Sequence, residues 1–228
     1  MIAIDNKKWF ICALFVVLLS DTASAQKSDW GVWSSTGVEA NLSKKWQLTG
    51  NLEYRLKDGA SQADQLRGAI GINYDLIKHI KIFTGYQLIS DFKNSGGNQY
   101  RNRFKFLATG SYKFAGFTAS LRTGVQGTFS DATNEEDLDN TKWVYRNRFG
   151  LKYKIQGIRL RPYVTFEMYQ RLSNGTDPVH YKNRYSAGLE YDITKHHQID
   201  AGYLRDSEIK DNSNYSFDAL SISYTYSF

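Results

Sequence analysis

The sequence contains few cysteines and prolines and no long apolar segment, and each of these features argues against a class of protein. Cys12 is the single cysteine among 228 residues, so an intramolecular disulfide and a multi-cysteine metal site are both excluded. Two prolines, 18 glycines and 15% aromatic residues fit one β-rich domain better than a helical protein. A hydrophobic content of 41% gives no sign of a bundle of membrane helices. One β-rich domain is therefore expected.

The first 25 residues have the three parts of a secretory signal peptide. Lys7 and Lys8 supply the positive start, Trp9 to Leu19 is an apolar run, and Ala23-Ser24-Ala25 is a small-residue cleavage site. The apolar run is shorter than the about 20 residues that a membrane-spanning helix needs. We therefore predict two segments, a signal peptide at 1–25 and a single exported domain at 26–228. Cys12 would be removed with the signal peptide.

The formal net charge of +6 raises the question of a nucleic-acid partner. The cations are spread singly along alternating positions instead of forming one patch, and an exported chain seldom meets nucleic acid. No nucleic-acid partner is expected.

One five-residue pattern recurs three times, each time at the start of a predicted strand. Successive side chains of a strand point to opposite faces, so the two cations of each copy share one face. The aromatic residues and the asparagine share the other. A tyrosine follows each copy at an odd separation from a cation, which places it on the aromatic face. The copies are Tyr100-Arg101-Asn102-Arg103-Phe104, Tyr145-Arg146-Asn147-Arg148-Phe149 and Tyr181-Lys182-Asn183-Arg184-Tyr185.

The same alternation runs through eleven segments, of which Trp46 to Leu56 is the most regular. Short turns alternate with longer polar loops between them, as in outer-membrane barrels, which in bacteria have an even number of strands. We therefore predict an all-β, transmembrane, antiparallel up-and-down barrel of 10 to 12 strands. Twelve is favoured, with Trp30 to Leu42 bent near Ser34-Ser35 into two short strands. The alternative is ten strands with that segment in the lumen.

Alternation alone does not say which face is inside, because a lipocalin-like soluble barrel directs its apolar face inward around a ligand. Large aromatic residues at both ends of the apolar stripes, and long cationic side chains on the opposite face, favour an apolar surface turned toward lipid. The aromatic girdle expected at the short-turn end consists of Tyr74, Tyr112, Tyr153, Tyr191 and Tyr226.

The polar face would then line the lumen with arginine. One interpretation is a network of Arg and Glu that fills a narrow barrel, since an unpaired buried charge is costly. The other is a conduit or pocket for anionic solutes, because guanidinium groups present a bidentate donor fork. The predicted lumen carboxylates are Glu53, Glu167 and Glu190. The predicted cationic ladder is Arg55, Arg67, Arg101, Arg103, Arg122, Arg146, Arg148, Arg159, Arg161 and Arg184.

No set of residues converges on a catalytic site. Asp177, His180 and Asp206 form the one conceivable grouping near the loop end, and solvated loop residues are the simpler interpretation. The acidic loop Asp131 to Asp139 lacks the spacing of an EF-hand, so a solvated loop is expected there too. We predict no enzyme, no cofactor and no metal. An outer-membrane enzyme with a loop-borne site and a soluble lipocalin-like binding barrel remain the alternatives.

The repeated motif, the Trp-rich first strand and the alternating last strand together resemble a family of Bacteroidetes outer-membrane proteins, domain of unknown function 2490, over roughly residues 29–228. The resemblance implies a Gram-negative outer-membrane barrel and no established activity. The last strand, which ends in Phe228, resembles the C-terminal signature that the barrel-assembly machinery reads. The expected partners are therefore outer-membrane lipids and that machinery, and the barrel is expected to be a monomer.

Overall fold

A computed structural model describes residues 27–93, 97–130, 141–173, 176–209 and 215–228. The signal segment at 1–25 and the acidic loop at 131–139 lie outside these residues. In the ranges described, every regular element is a β-strand. These ranges contain no helix of the length and apolarity that crossing a membrane requires.

Eleven strands follow one another along the chain. They are β1 (Lys27–Asn41), β2 (Trp46–Lys57), β3 (Gln62–Ile77), β4 (Ile80–Phe92), β5 (Asn98–Phe114), β6 (Phe117–Phe129), β7 (Lys142–Tyr153), β8 (Leu160–Ser173), β9 (Thr176–Asp192), β10 (His197–Glu208) and β11 (Tyr215–Ser227). The connections after β1, β3, β5, β7 and β9 lie at one end of the barrel, called the turn end. The connections after the even-numbered strands up to β10 lie at the opposite end, called the loop end.

The eleven strands close into one barrel. Each strand pairs antiparallel with the next, and β1 also pairs parallel with β11, from Lys27 beside Tyr215 to Glu39 beside Ser227. The predicted all-β barrel of 10 to 12 strands is confirmed. The preferred number of twelve strands is wrong, and so is the prediction that all strand pairs are antiparallel. The first and last strands of an eleven-stranded meander run in the same direction, so their closure is parallel. β1 is one continuous strand in the wall.

The polar faces of the strands point into the barrel and the apolar faces point out. On β2, Glu53 and Arg55 line an interior cavity, and Arg55 is only 7% exposed. Leu48 and Leu52 on the opposite face are exposed, Leu52 to 50%. This arrangement is the reverse of a lipocalin-like barrel, in which the apolar face surrounds the interior.

The asparagine of each repeated motif lies on the outer face and is hydrogen-bonded there. Tyr86 Oη donates to Asn102 Oδ1 over 2.5 Å, and Thr123 Oγ1 donates to Asn147 Oδ1 over 2.8 Å. In the third copy, His180 Nε2 lies 2.8 Å from Asn183 Oδ1. These polar groups therefore have protein partners on an otherwise apolar surface.

Aromatic side chains collect on the outer face at the turn end, and all five predicted girdle tyrosines are among them. Tyr112 and Tyr191 are exposed, and Tyr74 packs against Trp46 with ring centroids 4.5 Å apart. The remaining contacts are Tyr153 with Phe117 at 4.6 Å and Tyr226 with Phe228 at 4.7 Å. Phe228 extends the closure, because its backbone N–H donates to the Glu39 carbonyl oxygen over 2.8 Å.

Pro162 lies within β8 without interrupting its pairing with β9. It pairs in register with Leu189 of β9. The ladder between β7 and β8 begins only at Tyr163, so Pro162 has no partner strand on that side to hydrogen-bond. The irregularities of β8 lie nearer the loop end, at Tyr169/Gln170 and Arg171/Ser173.

The two-residue turn between β5 and β6 leads to a prediction about stability. Ala115 (φ 45°) and Gly116 (φ 84°) both have positive φ, as a type I′ hairpin requires. Replacing Gly116 with alanine should lower the free energy of unfolding by about 1–2 kcal/mol, because an L-residue with a side chain resists this conformation. Equilibrium denaturant unfolding measures the change.

Gly110→Ala is the matched control. Gly110 lies within β5, and the nearest heavy atom to an added Cβ is 4.0 Å away. This substitution should leave stability unchanged or raise it slightly, because alanine loses less entropy in a strand. Equal losses for the two variants would contradict the assignment of the Gly116 effect to its backbone conformation.

Candidate functional site

The three copies of the repeated motif bring pairs of cations into the barrel from three strands that run in the same direction. β5 contributes Arg101 and Arg103, β7 contributes Arg146 and Arg148, and β9 contributes Lys182 and Arg184. In the first two copies the aromatic residues and the asparagine lie on the other face, as strand alternation requires. In the third copy a register shift at Tyr169/Gln170 breaks the alternation, and Tyr181 lines the lumen with its ring 6.3 Å from that of Tyr169. The motif therefore places cations at regular positions along the lumen.

Two cavities occupy the lumen. The turn-end cavity has a volume of about 1050 Å³, and its wall includes Arg122, Arg148, Tyr163 and Asp200. The loop-end cavity has a volume of about 750 Å³. Arg146 and Arg184 line both cavities, so the boundary between the two lies at these side chains.

Buried side chains lie where the two cavities meet and are called the central septum. Glu167 is 3% exposed, Tyr169 is 4% exposed and Trp33 is 8% exposed. The central septum consists of Trp33, Arg55, Arg146, Glu167, Tyr169, Arg184 and Asp206.

Charge-assisted hydrogen bonds join the cations of the central septum to two carboxylates. Arg146 Nη2 donates to Glu167 Oε1 over 2.7 Å, and Tyr169 Oη donates to Glu167 Oε2 over 2.7 Å. Arg184 donates twice to Asp206, through Nε over 2.5 Å and Nη2 over 2.7 Å. Such two-fold contacts fix the guanidinium group in orientation as well as position.

Trp33 provides the aromatic part of the central septum. The guanidinium carbon of Arg55 lies 3.3 Å from the centre of its ring, and that of Arg184 lies 4.9 Å away. Both distances suit attraction between a cation and a π-system. Phe217 stacks beside Trp33 at 6.1 Å, and Leu204 and Ala219 complete a small apolar cluster. Trp33 therefore joins the ionic network to the seam where β1 meets β11.

Several other predicted lumen residues form ion pairs on the wall. Glu53 Oε1 lies 2.7 Å from Arg55 Nε and 3.4 Å from Arg67 Nη1. Arg101 donates twice to Asp91 over 2.5 and 2.6 Å. Near the turn end, Glu190 pairs with Arg161 over 3.2 Å and also with Lys152, and Arg161 pairs with Asp192.

Arg159 does not line the two cavities, contrary to its predicted place in the cationic ladder. It precedes the first residue of β8, lies exposed in the turn after β7, and donates through Nη1 to the Ile193 carbonyl oxygen over 2.8 Å. Strand alternation therefore does not direct it into the lumen. The other nine predicted arginines line the two cavities.

Six cations that line the two cavities have no carboxylate within 4 Å among the described residues; Lys113 and Lys154 are exposed at the turn end, and the other four are half-buried. Arg103 donates to Thr128 Oγ1 over 2.9 Å, and Arg122 donates to Thr109 Oγ1 over 3.2 Å. Lys105 and Arg148 complete the half-buried set. The lumen thus combines fully paired cations at its centre with unpaired cations in both cavities.

One row of directly paired residues contains both kinds of cation. Neighbouring strands place Arg122 opposite Arg148, Arg148 opposite Glu167, Glu167 opposite Arg184, and Arg184 opposite Asp206. Like charges directly opposite one another destabilise a sheet, whereas opposite charges stabilise it. The row is therefore favourable from Arg148 to Asp206 and unfavourable between Arg122 and Arg148.

Tyr163 of β8 and Asp200 of β10 also line the turn-end cavity. The Tyr163 ring extends over Gly188 and Gly202, where an added Cβ would lie 2.6 and 2.9 Å from its hydroxyl oxygen. That hydroxyl donates to Asp200 Oδ1 over 3.1 Å. No cation of the described residues lies within 4 Å of the Asp200 carboxylate, so its acceptor capacity is only partly used.

The possible catalytic grouping is not brought together by the described residues. His180 contacts Asn183, whereas Asp206 is bonded to Arg184 and Lys182. The side chain of Asp177 lies outside the described part of the chain. Within the part that is described, His, Cys, Asp and Glu side chains form no group of three or more with metal-ligand geometry.

Sequence reasoning missed Trp33 and Tyr169 and did not assign Asp206 to the lumen. Trp33 had a detectable signal, because it alternates out of phase with the outward residues Trp30 and Val32. Tyr169 follows Glu167 by two residues, which places both on one face. The sequence contains no comparable signal for which of these side chains contact one another across the lumen.

Comparison with known proteins adds one match. A family model described as "Protein of unknown function (DUF2490)" matches residues 30–216. A comparison with curated proteins finds no match.

Proposed function

The chain belongs to the family described as protein of unknown function DUF2490, and we propose that it is a small outer-membrane β-barrel that binds anionic solutes in an Arg-rich, centrally closed lumen. The observation that carries this proposal is the orientation of the wall, with apolar side chains outside and cations inside.

Lipid is the solvent that fits the outer face. Large apolar side chains are exposed on strand after strand, for example Leu52 on β2, Ile70 on β3, Leu88 on β4 and Phe106 on β5. Soluble monomers rarely expose contiguous apolar patches larger than a few hundred Å². Every strand also has at least 12 residues, and a tilted membrane strand needs about 9–11.

The closed barrel supports the membrane proposal and the monomeric state. Each strand has a partner on both sides, so the wall has no open edge among the described strands. An open edge would leave backbone groups unpaired in lipid and would invite pairing with another chain. We propose that this monomer is inserted into the Gram-negative outer membrane by the barrel-assembly machinery, through β11 and Phe228.

The charges of the lumen support anionic solutes, and the central septum supports a pocket instead of a permanently open channel. Arg103, Lys105, Arg122 and Arg148 have no carboxylate within 4 Å in the described ranges, so they can attract and bind anions. Trp33, Glu167 and Tyr169 fill the space between the two cavities. Solutes from either side would therefore reach one cavity and not the other.

The membrane proposal predicts a large effect for an arginine on the outer face. Leu52 lies at the middle of β2 and points outward. Leu52→Arg should lower the free energy of unfolding from lipid vesicles by about 2–4 kcal/mol, the cost of an arginine at the bilayer midplane. Denaturant titration of the vesicle-inserted protein measures this difference.

Asn98→Arg is the matched control, because Asn98 is exposed at the loop end of β5, outside the apolar belt. Its cost should be at most about 1 kcal/mol. A cost within about 0.5 kcal/mol for both variants would indicate a water-exposed surface instead. Flotation of the exported chain with outer-membrane vesicles, resistant to high salt, tests the localisation directly. Recovery in the soluble periplasmic fraction would refute it.

A further inference from the structure

The cross-strand pair Arg122 and Arg148 in the turn-end cavity is electrostatically incomplete. The two residues lie directly opposite each other on β6 and β7. Neither has a carboxylate within 4 Å in the described part of the chain. Like charges in this arrangement repel, and the repulsion is relieved when an anion lies between them.

The two carboxylates in the same cross-strand row are already hydrogen-bonded to other groups. Glu167 lies opposite Arg148 but accepts from Arg146 and Tyr169. Asp206 is bonded to Arg184 and Lys182. Arg122 uses its Nε to donate to Thr109, which leaves its terminal nitrogens for another acceptor. Arg148 makes no hydrogen bond within the described residues, so its whole donor fork remains.

We propose that Arg122 and Arg148 bind the phosphate group of a solute that enters the turn-end cavity, an inference that rests on the anion-binding lumen proposed above. Two guanidinium groups carry two positive charges, and a carboxylate with its single charge neutralises only one of them. A phosphate monoester has three acceptor oxygens and a charge of about −1.5 to −2 at neutral pH.

The rest of the cavity fits an organic phosphate better than inorganic phosphate alone. A volume of about 1050 Å³ exceeds what the phosphate group occupies. The Tyr163 ring in the same cavity provides a stacking surface, and Asp200 beside it accepts hydrogen bonds from a hydroxyl or ammonium group. The cavity therefore combines groups that bind a phosphate with an acceptor for a hydrogen-bond donor.

The unpaired cations of the loop-end cavity form a weaker candidate. Arg103 and Lys105 are successive inward residues of one strand and are not a directly opposed pair. Arg103 also donates its Nε to Thr128. Lys105 nevertheless supplies a control, because its removal takes one unpaired charge from the lumen without touching the proposed site.

The test is isothermal titration of the refolded barrel in detergent with inorganic phosphate and phenyl phosphate, at fixed ionic strength. Wild type should bind both, and phenyl phosphate more tightly. Arg148→Gln and Arg122→Gln should each weaken binding by about tenfold or more, since each removes charge-assisted hydrogen bonds. Lys105→Gln should change the affinity less than about twofold. Absence of binding to wild type, or equal weakening by Lys105→Gln, would overturn the assignment.

Denaturant unfolding gives a readout that separates binding from a structural role. Without phosphate, Arg148→Gln should unfold at about the same denaturant concentration as wild type, because the relieved repulsion from Arg122 offsets the lost attraction to Glu167. Phosphate should shift the wild-type transition upward and leave the variant unmoved. A variant that is less stable in phosphate-free buffer would refute the site. A chain that floats with membranes but binds no phosphate refutes this inference alone, and a phosphate-binding chain found in the soluble fraction refutes the membrane proposal alone.

Discussion

Replacing Asp206 with alanine should lower the free energy of unfolding by about 3–5 kcal/mol, the usual cost of breaking a buried ion pair. Asp206 is 9% exposed, and it accepts two hydrogen bonds from Arg184 and one from Lys182. Its loss leaves the charges of Arg184 and Lys182 in the centre of the barrel, near Arg146, without the carboxylate to which both are bonded. Equilibrium unfolding in detergent or lipid measures the change.

Asp192→Ala is the control for this prediction. Asp192 also pairs with an arginine, Arg161, but it lies at the turn-end rim and its side chain is 30% exposed. Water and salt screen such pairs, so the loss should not exceed about 1 kcal/mol. The double variant Arg184→Met/Asp206→Leu should recover part of the Asp206→Ala loss, because it removes one of the two stranded charges together with its partner and leaves Lys182. Equal losses at Asp192 and Asp206 would mean that burial does not set the strength of these pairs.

Strand alternation made much of this barrel predictable. The period of two assigned Leu48 and Leu52 to one face and Glu53 and Arg55 to the other, and the structure has them so. The repeated motif likewise assigned its cations to the polar face. These predictions hold because alternation is a local property of the strand, which does not depend on its partners.

The closure of the barrel could not be predicted in the same way. The number of strands depends on whether β1 pairs with β11, which lies at the far end of the chain. An expectation of even strand number led to a bend at Ser34-Ser35, and nothing local in Trp30 to Leu42 argues for or against parallel pairing. Arg159 was misplaced for a related reason, because the start of β8 is set by where its neighbours end.

The central septum required information from several strands at once. Its charged members come from β2, β7, β8, β9 and β10, and the contact of Trp33 with Arg184 joins β1 to β9. The sequence indicates which residues face inward but not which meet across the lumen. The sequence therefore does not distinguish a filled network of Arg and Glu from an open passage. In the structure, ion pairs lie at the centre of the lumen and unpaired cations lie on either side.

Replacing Trp33 with alanine should join the two cavities and turn a closed barrel into an anion-selective pore. The guanidinium groups of Arg55 and Arg184 both lie against the indole ring, which is buried at the boundary of the two cavities. Its removal should also lower the free energy of unfolding by about 3–5 kcal/mol, as for other buried tryptophans. In planar bilayers, wild type should carry no steady current and Trp33→Ala should give discrete openings.

The sign of the reversal potential across a salt gradient then reports on the charges of the passage. It should indicate anion selectivity, and adding Arg103→Gln to Trp33→Ala should reduce that selectivity, because Arg103 is an unpaired cation on the wall of the loop-end cavity. Trp30→Ala is the matched control, since Trp30 lies on the same strand, faces outward and is 50% exposed. It should leave the barrel closed. A silent Trp33→Ala barrel would mean that the ionic part of the central septum closes the lumen without the indole ring, and a cation-selective one would contradict the anionic assignment of the solutes.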